Sequence, residues 1–246
     1  LRAIGARGQL VGVSNLSGKA KSFWGDMADI PSVGDPFGPN IEKIIQLKPD
    51  LVLAVAWRPG PDFDKKLKEF GIPTLRLDCY DPLRVLKDIE TLGRLAGREA
   101  EAAQLTGFLS GIRERIEARV RTIPDEARPR FYTEIYTDFA CAAPQSGSAQ
   151  LCVMAGGRNV YTDRPTTHRP TVSAEWVMAQ NPDLIVRAVG GAGGGGYEGD
   201  SPKPLEDARQ SIMNRPGFAG LAAVRAGRVY VIHRDIWLGP ACYVSV

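Results

Sequence analysis

Histidine and cysteine are scarce in this 246-residue sequence, which contains two histidines and four cysteines. Two imidazoles are too few for a metal site built on three histidines. No two cysteines stand in a CxxC pair that would indicate a zinc or redox site. We expect the cysteines to be small buried side chains. A disulfide between Cys141 and Cys152 stays open, because their spacing alone does not decide it.

Long apolar runs are also missing. The longest spans residues 51–57, whereas a helix that crosses a bilayer needs about 20 residues. With 43% hydrophobic and 24% charged residues, the chain has the composition of a globular protein. The net charge is only +3, and the basic residues of segment 113–130 fit a solvated helix face better than a nucleic-acid surface. Nucleic acid is therefore not expected as a partner.

An internal repeat is the most informative feature of the sequence. Residues 40–53 and 173–186 carry the same pattern 133 positions apart: an acid near the start of a short amphipathic segment, then Pro-Asp, then an apolar run. The acids are Glu42 and Glu175, and a helix dipole favours acids in the first turn. Because proline ends the helix and an apolar run suits a strand buried in a parallel sheet, each copy predicts a helix followed by a strand.

The segment between the two copies has helical periodicity. Apolar residues recur at spacings of three and four from residue 83 to about residue 120, which predicts a short helix and then a long one. A helix over residues 98–121 would be about 36 Å long, the width of a domain. Further strands are predicted at 10–13, 74–77, 130–136 and 228–232. The predicted fold class is α/β: two Rossmann-like lobes with parallel sheets (residues 1–82 and 124–246), joined by a long rigid backbone helix (residues 83–123).

Residues 191–196 satisfy G-x-G-x-x-G, the pattern of a dinucleotide-binding turn. The segment that follows contains two prolines and predicts no helix that could direct its N-terminus at a pyrophosphate. We therefore interpret these glycines as a flexible loop. The sequence also lacks G-x-S-x-G, so the nucleophile of an α/β-hydrolase is absent.

Aromatic and cationic residues follow several predicted strands. Trp57 and Arg58 come directly after the predicted strand at 51–56, at the end where open α/β sheets present ligands. Other candidates close to predicted element ends are His168, Arg169, Asp235 and Trp237. A tryptophan in such a place can equally be a core residue. Together, however, these side chains predict a cleft with flat apolar surfaces and positive charge.

Eight short blocks occur in an order that is typical of one family. They are NIE at 40–42, PDLV at 49–52, GIP at 71–73, LGRLAGREA at 92–100, GGRNV at 156–160, VSAE at 172–175, NPDLIV at 181–186 and AGRVY at 226–230. This order resembles that of the helical-backbone substrate-binding proteins of ABC importers, which carry ferric siderophores, haem, vitamin B12 and, in some members, metal oxyanions. The resemblance covers nearly the whole chain, and the succession is more specific than any single block.

The resemblance implies two lobes bridged by a rigid helix, a ligand held between them, and delivery to an ABC permease with its ATPase subunits. It implies a monomeric binding protein in the periplasm, or a membrane-anchored extracellular lipoprotein. It also implies that the first strand and the last helix of the family fold lie outside this chain. We expect no enzymatic activity, and hence no catalytic residue, cofactor or resident metal.

The resemblance also suggests roles for individual residues. Glu42 and Glu175 match the two family glutamates, one in each lobe, that pair with permease arginines. Trp57 resembles an aromatic residue close to the vitamin in the family's B12 binder. Arg169 stands where that binder has a ligand-contacting tryptophan. The change from an indole to a guanidinium argues against a B12-like ligand.

Charge at the predicted strand ends indicates the ligand class. Arginine binds carboxylate, phosphate or oxyanion oxygens in a bidentate manner, most strongly in a water-poor cleft. The candidate ligand-binding residues combine such cations with apolar walls; they are Phe37, Trp57, Arg58, Phe139, His168, Arg169, Arg187, Asp235 and Trp237. We expect an anionic metal complex of the ferric siderophore or haem type, ahead of a molybdate- or tungstate-like oxyanion and then a corrinoid. The alternative is a two-lobed α/β enzyme, a transferase or a chelatase-like protein, that uses the same cleft.

Overall fold

The structure is a computed structural model that describes residues 1–15, 25–163, 169–190 and 201–237. The chain divides into two compact units. The first comprises Leu1–Cys79 and Leu83–Phe108, and the second comprises Tyr80–Pro82 and Leu109–Val246. The division falls inside the long helix that the sequence predicts as a connector. The predicted lobe boundaries at residues 82 and 124 stay a prediction.

Short helices and strands alternate in the first unit. Its elements are β1 (Gly34–Asp35), β2 (Gly38–Pro39), α1 (Ile41–Leu47), β3 (Val52–Val55), α2 (Pro61–Glu69), β4 (Thr74–Leu77), α3 (Val85–Ala96) and the first part of α4 (Glu99–Val120), with 3-10 turns at Arg2–Ile4, Arg7–Gln9 and Gly25–Asp29. β1 and β2 form an antiparallel hairpin, whereas β3 and β4 pair in parallel along all four residues of each strand. The core of α1, α2 and the following turn consists of Ile44, Phe63, Leu67 and Ile72.

The predicted strand at residues 10–13 is reduced to one parallel bridge, between Val13 and Ser32. The N–H of Val13 donates to the carbonyl of Pro31 at 3.0 Å, and the N–H of Val33 donates to the carbonyl of Val13 at 2.8 Å. Because Pro31 has no N–H to donate in return, the ladder does not extend toward residue 10.

The second unit contains a four-stranded sheet. Its elements are β5 (Arg130–Ile135), α5 (Gly147–Met154), β6 (Arg158–Asn159), α6 (Ala174–Gln180), β7 (Leu184–Val189), α7 (Lys203–Met213), α8 (Ala222–Arg225), β8 (Val229–His233) and α9 (Arg234–Trp237), with 3-10 turns at Asp125–Ala127 and Phe218–Gly220. The strands lie in the order β6-β5-β7-β8 and all pair in parallel. Residues 131–135 of β5 are buried. The prediction of an α/β fold with parallel sheets is confirmed.

The repeat seen in the sequence is a capped helix followed by a strand. Helices α1 and α6 are both seven residues long. At the start of each, a side chain, Asn40 or Ser173, accepts a hydrogen bond from the backbone N–H three residues on. At the end of each, a left-handed residue closes the helix, Lys48 with φ 48° and Asn181 with φ 42°. The same local chemistry therefore places a parallel strand after each helix.

The connector consists of two helices, as its periodicity predicts. α3 ends at Gly97, whose φ of 60° is left-handed, and α4 then runs for 22 residues. Gly93 lies inside α3 and does not break it. A Cβ at Gly93 would stand 2.4 Å from the Cβ of Ala102, so glycine is needed where α3 and α4 approach each other.

Candidate functional site

Three of the predicted ligand-binding residues meet on an exposed surface of the first unit. The rings of Phe37 and Trp57 stack with their centroids 5.7 Å apart at an interplanar angle of 28°. The guanidinium of Arg58 lies over the Phe37 ring, 5.7 Å from its centroid. Phe37 is 50% exposed and Trp57 is 55% exposed. We call these three residues the Trp57 surface, and its two rings are accessible to a ligand.

The turn that carries Trp57 is fastened by Arg76 of β4. The guanidinium of Arg76 donates to the carbonyl of Val55 at 3.0 Å and to that of Pro59 at 2.7 Å, on either side of Trp57. It also pairs in a bidentate manner with Asp64 of α2, at 2.8 and 3.1 Å. The Trp57 turn is therefore held to both a strand and a helix of the same unit.

The charge of Arg58 is not neutralised by a carboxylate within the described parts of the chain, where Arg58 forms no ion pair. Phe37 lies in the turn between β1 and β2, and its N–H donates to the Oδ1 atom of Asp35 at 2.8 Å. The Trp57 surface thus combines flat apolar area with one positive charge.

A second contact between an arginine and an aromatic ring lies in the second unit. The guanidinium of Arg169 stands 5.2 Å from the ring centroid of Tyr136, which is 39% exposed. Tyr136 directly follows β5, and both Tyr136 (φ 66°) and Phe139 (φ 62°) are left-handed. This conformation ends β5 one residue earlier than predicted. The contact lies at the carboxyl end of a parallel strand, where open α/β sheets bind ligands.

A buried carboxylate organises the loop after β5. Glu134 is fully buried and accepts hydrogen bonds from the hydroxyl of Tyr132 at 3.1 Å and the N–H of Phe139 at 3.2 Å. Arg215 donates to both oxygens of Glu134, at 2.6 and 3.0 Å, and Arg187 donates to Oε2. The register of the sheet sets Glu134 directly opposite Arg187 on β7.

Arg187 and Arg215 also contact the loop that follows β5. Arg187 donates to the carbonyl of Tyr136 at 2.9 Å, and Oδ1 of Asp138 lies 3.1 Å from Arg187 and 2.9 Å from Arg215. Burial works to lower the pKa of Arg215, but its hydrogen bonds and charge contacts with Glu134 and Asp138 outweigh burial and raise it. Arg187, predicted to contact the ligand, is 7% exposed and lies within this network.

Two predicted aromatic walls lie deeper than expected. Phe139 is half-buried between the guanidinium of Arg215, 4.6 Å from its centroid, and the ring of Phe218, 6.2 Å away at 81°. Trp237 is 4% exposed and packs in a core cluster with Ile135. Its indole therefore belongs to the core and offers no open wall, because α9 turns it inward directly after β8.

Several predicted features fall outside the described residues. These are His168, the side chain of Asp235 and the glycine-rich segment 191–196. Glu42 and Glu175 are described and exposed, each in the first turn of its repeat helix. Hydrogen bonds from its own backbone N–H and from Ser173 lower the pKa of Glu175.

The described cysteines Cys79, Cys141 and Cys152 are free thiols, so the structure contains no Cys141–Cys152 disulfide. Burial raises the pKa of Cys79 to about 11 and the pKa values of Cys141 and Cys152 to about 12. Within the described ranges, no three histidine, cysteine, aspartate or glutamate side chains converge on a possible metal position. None of the helices in those ranges has the length and apolar character needed to cross a bilayer.

A cavity of about 520 Å³ lies in the second unit, lined in part by Arg130, Arg158, Tyr161 and Trp176. Arg130 and Arg158 are the first residues of β5 and β6. The cavity therefore lies at the opposite end of β5 from the Tyr136 loop and away from the carboxyl ends of the strands.

Arg76, Tyr136, Glu134 and Arg215 were not predicted from the sequence as residues of the site. A signal was present for Glu134, because a glutamate within a strand predicted to be buried indicates a buried partner for its carboxylate. Arg76 gave no such signal, since its hydrogen bonds depend on how β4 lies beside the Trp57 turn.

Comparisons with known proteins agree on one family. The sequence profile of a family described as "Periplasmic binding protein" matches residues 1–236. A "Cobalamin-binding protein" of Halobacterium salinarum is 30% identical over 190 residues, which are 76% of this chain and 50% of that protein. The "Uncharacterized ABC transporter substrate-binding lipoprotein YvrC" of Bacillus subtilis is 27% identical over 239 residues, 95% of this chain and 69% of that protein.

The chain spans about half the length of the first curated relatives that it matches. Among solved structures, a "Periplasmic Heme Binding Protein from Pseudomonas aeruginosa" has a TM-score of 0.75 and 21% identity, and the match covers 99% of this chain and 84% of that one. At this level of identity the likeness concerns the fold alone. The family that matches this chain is one of periplasmic binding proteins and not of enzymes.

Proposed function

Because the chain belongs to the periplasmic binding protein family, we propose that it is the substrate-binding component of an ABC importer. In this role a single copy binds its cargo outside the cytoplasm, in the periplasm or as a lipoprotein on the cell surface. It then delivers the cargo to a permease that is driven by ATPase subunits. The enzyme alternative loses its support, since the family consists of transport proteins.

The proposed cargo is an anionic metal complex of the haem or ferric siderophore type, and the Trp57 surface carries this proposal. Two stacked, half-exposed rings provide a flat apolar face for an aromatic chelator. Arg58 beside them provides a charge-assisted donor for a carboxylate or phenolate oxygen. Arg169 over Tyr136 repeats this combination in the second unit.

A corrinoid is the second candidate, because the Halobacterium relative is named for cobalamin binding. Arg58 and Arg169, each over an aromatic ring, favour an anionic complex over a neutral corrinoid. A small oxyanion such as molybdate makes little use of the rings of Phe37 and Trp57 and is the weakest of the three.

Native mass spectrometry of the protein purified from its own host tests the cargo. We expect a co-purified complex whose mass and isotope pattern identify iron bound to a porphyrin or a siderophore. The Trp57→Ala variant should lose this complex. Phe70→Ala, which removes another exposed ring of the first unit, should keep it. A cobalt corrinoid, or an iron complex retained by Trp57→Ala, would contradict the proposal.

Docking on the permease is assigned to Glu42 and Glu175. Their exposure in the first turns of two matching helices supports this assignment. Exchange of both for lysine should abolish uptake in cells and leave the affinity for the cargo unchanged. Uptake at the normal rate by the doubly exchanged protein would remove the docking role.

A further inference from the structure

Glu134, Asp138, Arg187 and Arg215 form one network of charges, here called the Glu134 network. Its two carboxylates differ in their burial. Arg187 and Arg215 are nine-tenths buried, each with a side chain 9% exposed, and Glu134 is 0% exposed. The side chain of Asp138, which completes the network, is 60% exposed. A single oxygen of Asp138, Oδ1, contacts both arginines, at 3.1 and 2.9 Å. Asp138 is therefore an exposed partner of two buried cations.

The charges of this network balance only while Asp138 is present. Two carboxylates face two guanidinium groups, so the departure of Asp138 leaves one positive charge with no partner in the network. Glu134 cannot leave, because it is buried and also holds Tyr132 and the backbone of Phe139. Asp138 is already largely hydrated and is part of a loop, so its displacement costs little desolvation compared with that of a buried ion.

We propose that Arg187 and Arg215 form a carboxylate-binding site whose resident occupant, Asp138, is displaced by a carboxylate of the cargo. The part concerning the cargo rests on the proposed function. The site lies in the loop at the carboxyl end of β5, and Tyr136 and Phe139 stand on either side of Asp138 in sequence. A ligand carboxylate can take the place of the Asp138 carboxylate on the same two guanidinium groups.

Chemical rescue tests the site without any cargo. In Asp138→Ala, acetate should occupy the vacated place and raise the melting temperature in a saturable way relative to chloride at equal ionic strength. Asp207→Ala is the matched control, because Asp207 is 62% exposed and pairs with Lys203 on an open helix surface. Neither this control nor the unaltered protein should respond to acetate. An equal response of all three proteins, or no response of Asp138→Ala, would overturn the site.

The binding of haemin and of haemin dimethyl ester tests whether a carboxylate of the cargo displaces Asp138. Asp138→Asn keeps the size of the side chain and removes its charge, so haemin should bind about tenfold more tightly than to the unaltered protein, the scale of one charge-assisted hydrogen bond. The ester has no free carboxylate and should bind both proteins equally. An equal gain for haemin and the ester, or no gain for haemin, would overturn the exchange. If neither protein binds haemin, the exchange and the haem-type cargo both fail, whereas the acetate experiment still decides whether the site exists.

Discussion

In the first unit, Arg58 follows strand β3 and stays exposed over the ring of Phe37, whereas in the second unit Arg187 lies in strand β7 and is 7% exposed. Both arginines end or follow apolar runs in the sequence. The register of the sheet in the second unit explains why the two arginines differ in exposure. Glu134 stands opposite Arg187 and holds its guanidinium inside. The cross-strand neighbour thus decides whether such an arginine is exposed to a ligand or lies in a buried network, which under the proposal above a ligand reaches only by displacing Asp138.

The two copies of the repeat diverge at the same point. Up to the strand, the two copies share the same features. In each, a side chain caps the start of the helix, a left-handed residue ends it, and a proline precedes the strand. After the strand, the first unit continues with Trp57 and Arg58, whereas the second continues with Gly190 and the glycine-rich segment. Capping and packing constrain the repeated part in both units, whereas the sequences that follow the two strands are free to differ.

The largest effect on the free energy of unfolding is expected for the buried charges of the second unit. Glu134→Gln removes the partner of two buried arginines and should lower the free energy of unfolding by about 3–5 kcal/mol. Asp207→Asn, which breaks an exposed pair with Lys203, should lower it by less than about 1 kcal/mol. Urea denaturation measures both values. Equal losses in the two variants would show that burial does not distinguish these ion pairs.

The exposed surface of the first unit should show the opposite behaviour, with a large effect on binding and a small one on stability. Trp57→Ala should weaken haemin binding by about 2 kcal/mol, as the loss of an aromatic anchor does. Its melting temperature should stay close to that of the unaltered protein, because Trp57 is 55% exposed. Phe70→Ala, 59% exposed in the same unit, should change neither quantity. Equal affinity losses for the two variants would remove the special role of the Trp57 surface.

Arg76→Lys should weaken haemin binding by about 1 kcal/mol, although Arg76 is not part of the Trp57 surface. Lysine cannot make the hydrogen bonds to Val55, Pro59 and Asp64 together, so the turn would lose its fixed position. In a double-mutant cycle, the loss should nearly vanish in the Trp57→Ala background. Full additivity of the two losses would show that Arg76 acts through general stability and not through this turn.

The smallest effect on stability at neutral pH is expected for the thiols of Cys141 and Cys152. Since burial raises the pKa of Cys141 and Cys152 from 9.0 to about 12, the folded chain holds these protons more tightly than the unfolded chain. Their contribution to stability is complete below pH 9 and should be lost as the pH rises from 9 to about 12. At pH 8, iodoacetamide should modify both thiols far more slowly in the folded than in the unfolded chain, as mass spectrometry of peptides can measure. Equal rates would contradict their burial.

The parts of the fold that local chemistry determines were predictable from the sequence. The two capped helices, the long connector and the apolar strands all depend on neighbours within a few positions. α5 and α7 were not predicted, because α5 buries mainly small residues and α7 buries Ile212 alone, so neither shows a clear apolar face. The β1–β2 hairpin has two residues in each strand, too few for an alternating pattern.

Some residues of the candidate site were predicted from the sequence, whereas Tyr136, Glu134 and Arg215 and the contacts among the site residues were not. Trp57 and Arg58 were predicted from their place directly after a strand, and Phe37 was predicted from the family resemblance. Their contact depends on Arg76, whose partners lie 12 to 21 positions away in the sequence. The inward position of Arg187 depends on the pairing of β5 with β7, which a single sequence does not reveal.

The proposal is that the exposed rings of Phe37 and Trp57, with the unneutralised guanidinium of Arg58 beside them, bind an anionic metal complex. Titration of the unaltered protein and of Arg58→Ala with haemin and with cyanocobalamin, at low and at high salt, tests it most directly. We predict that haemin binds more tightly than cyanocobalamin, and that its affinity falls both with added salt and in Arg58→Ala. Tight binding of the neutral corrinoid, unchanged by salt and by Arg58→Ala, would contradict the claim.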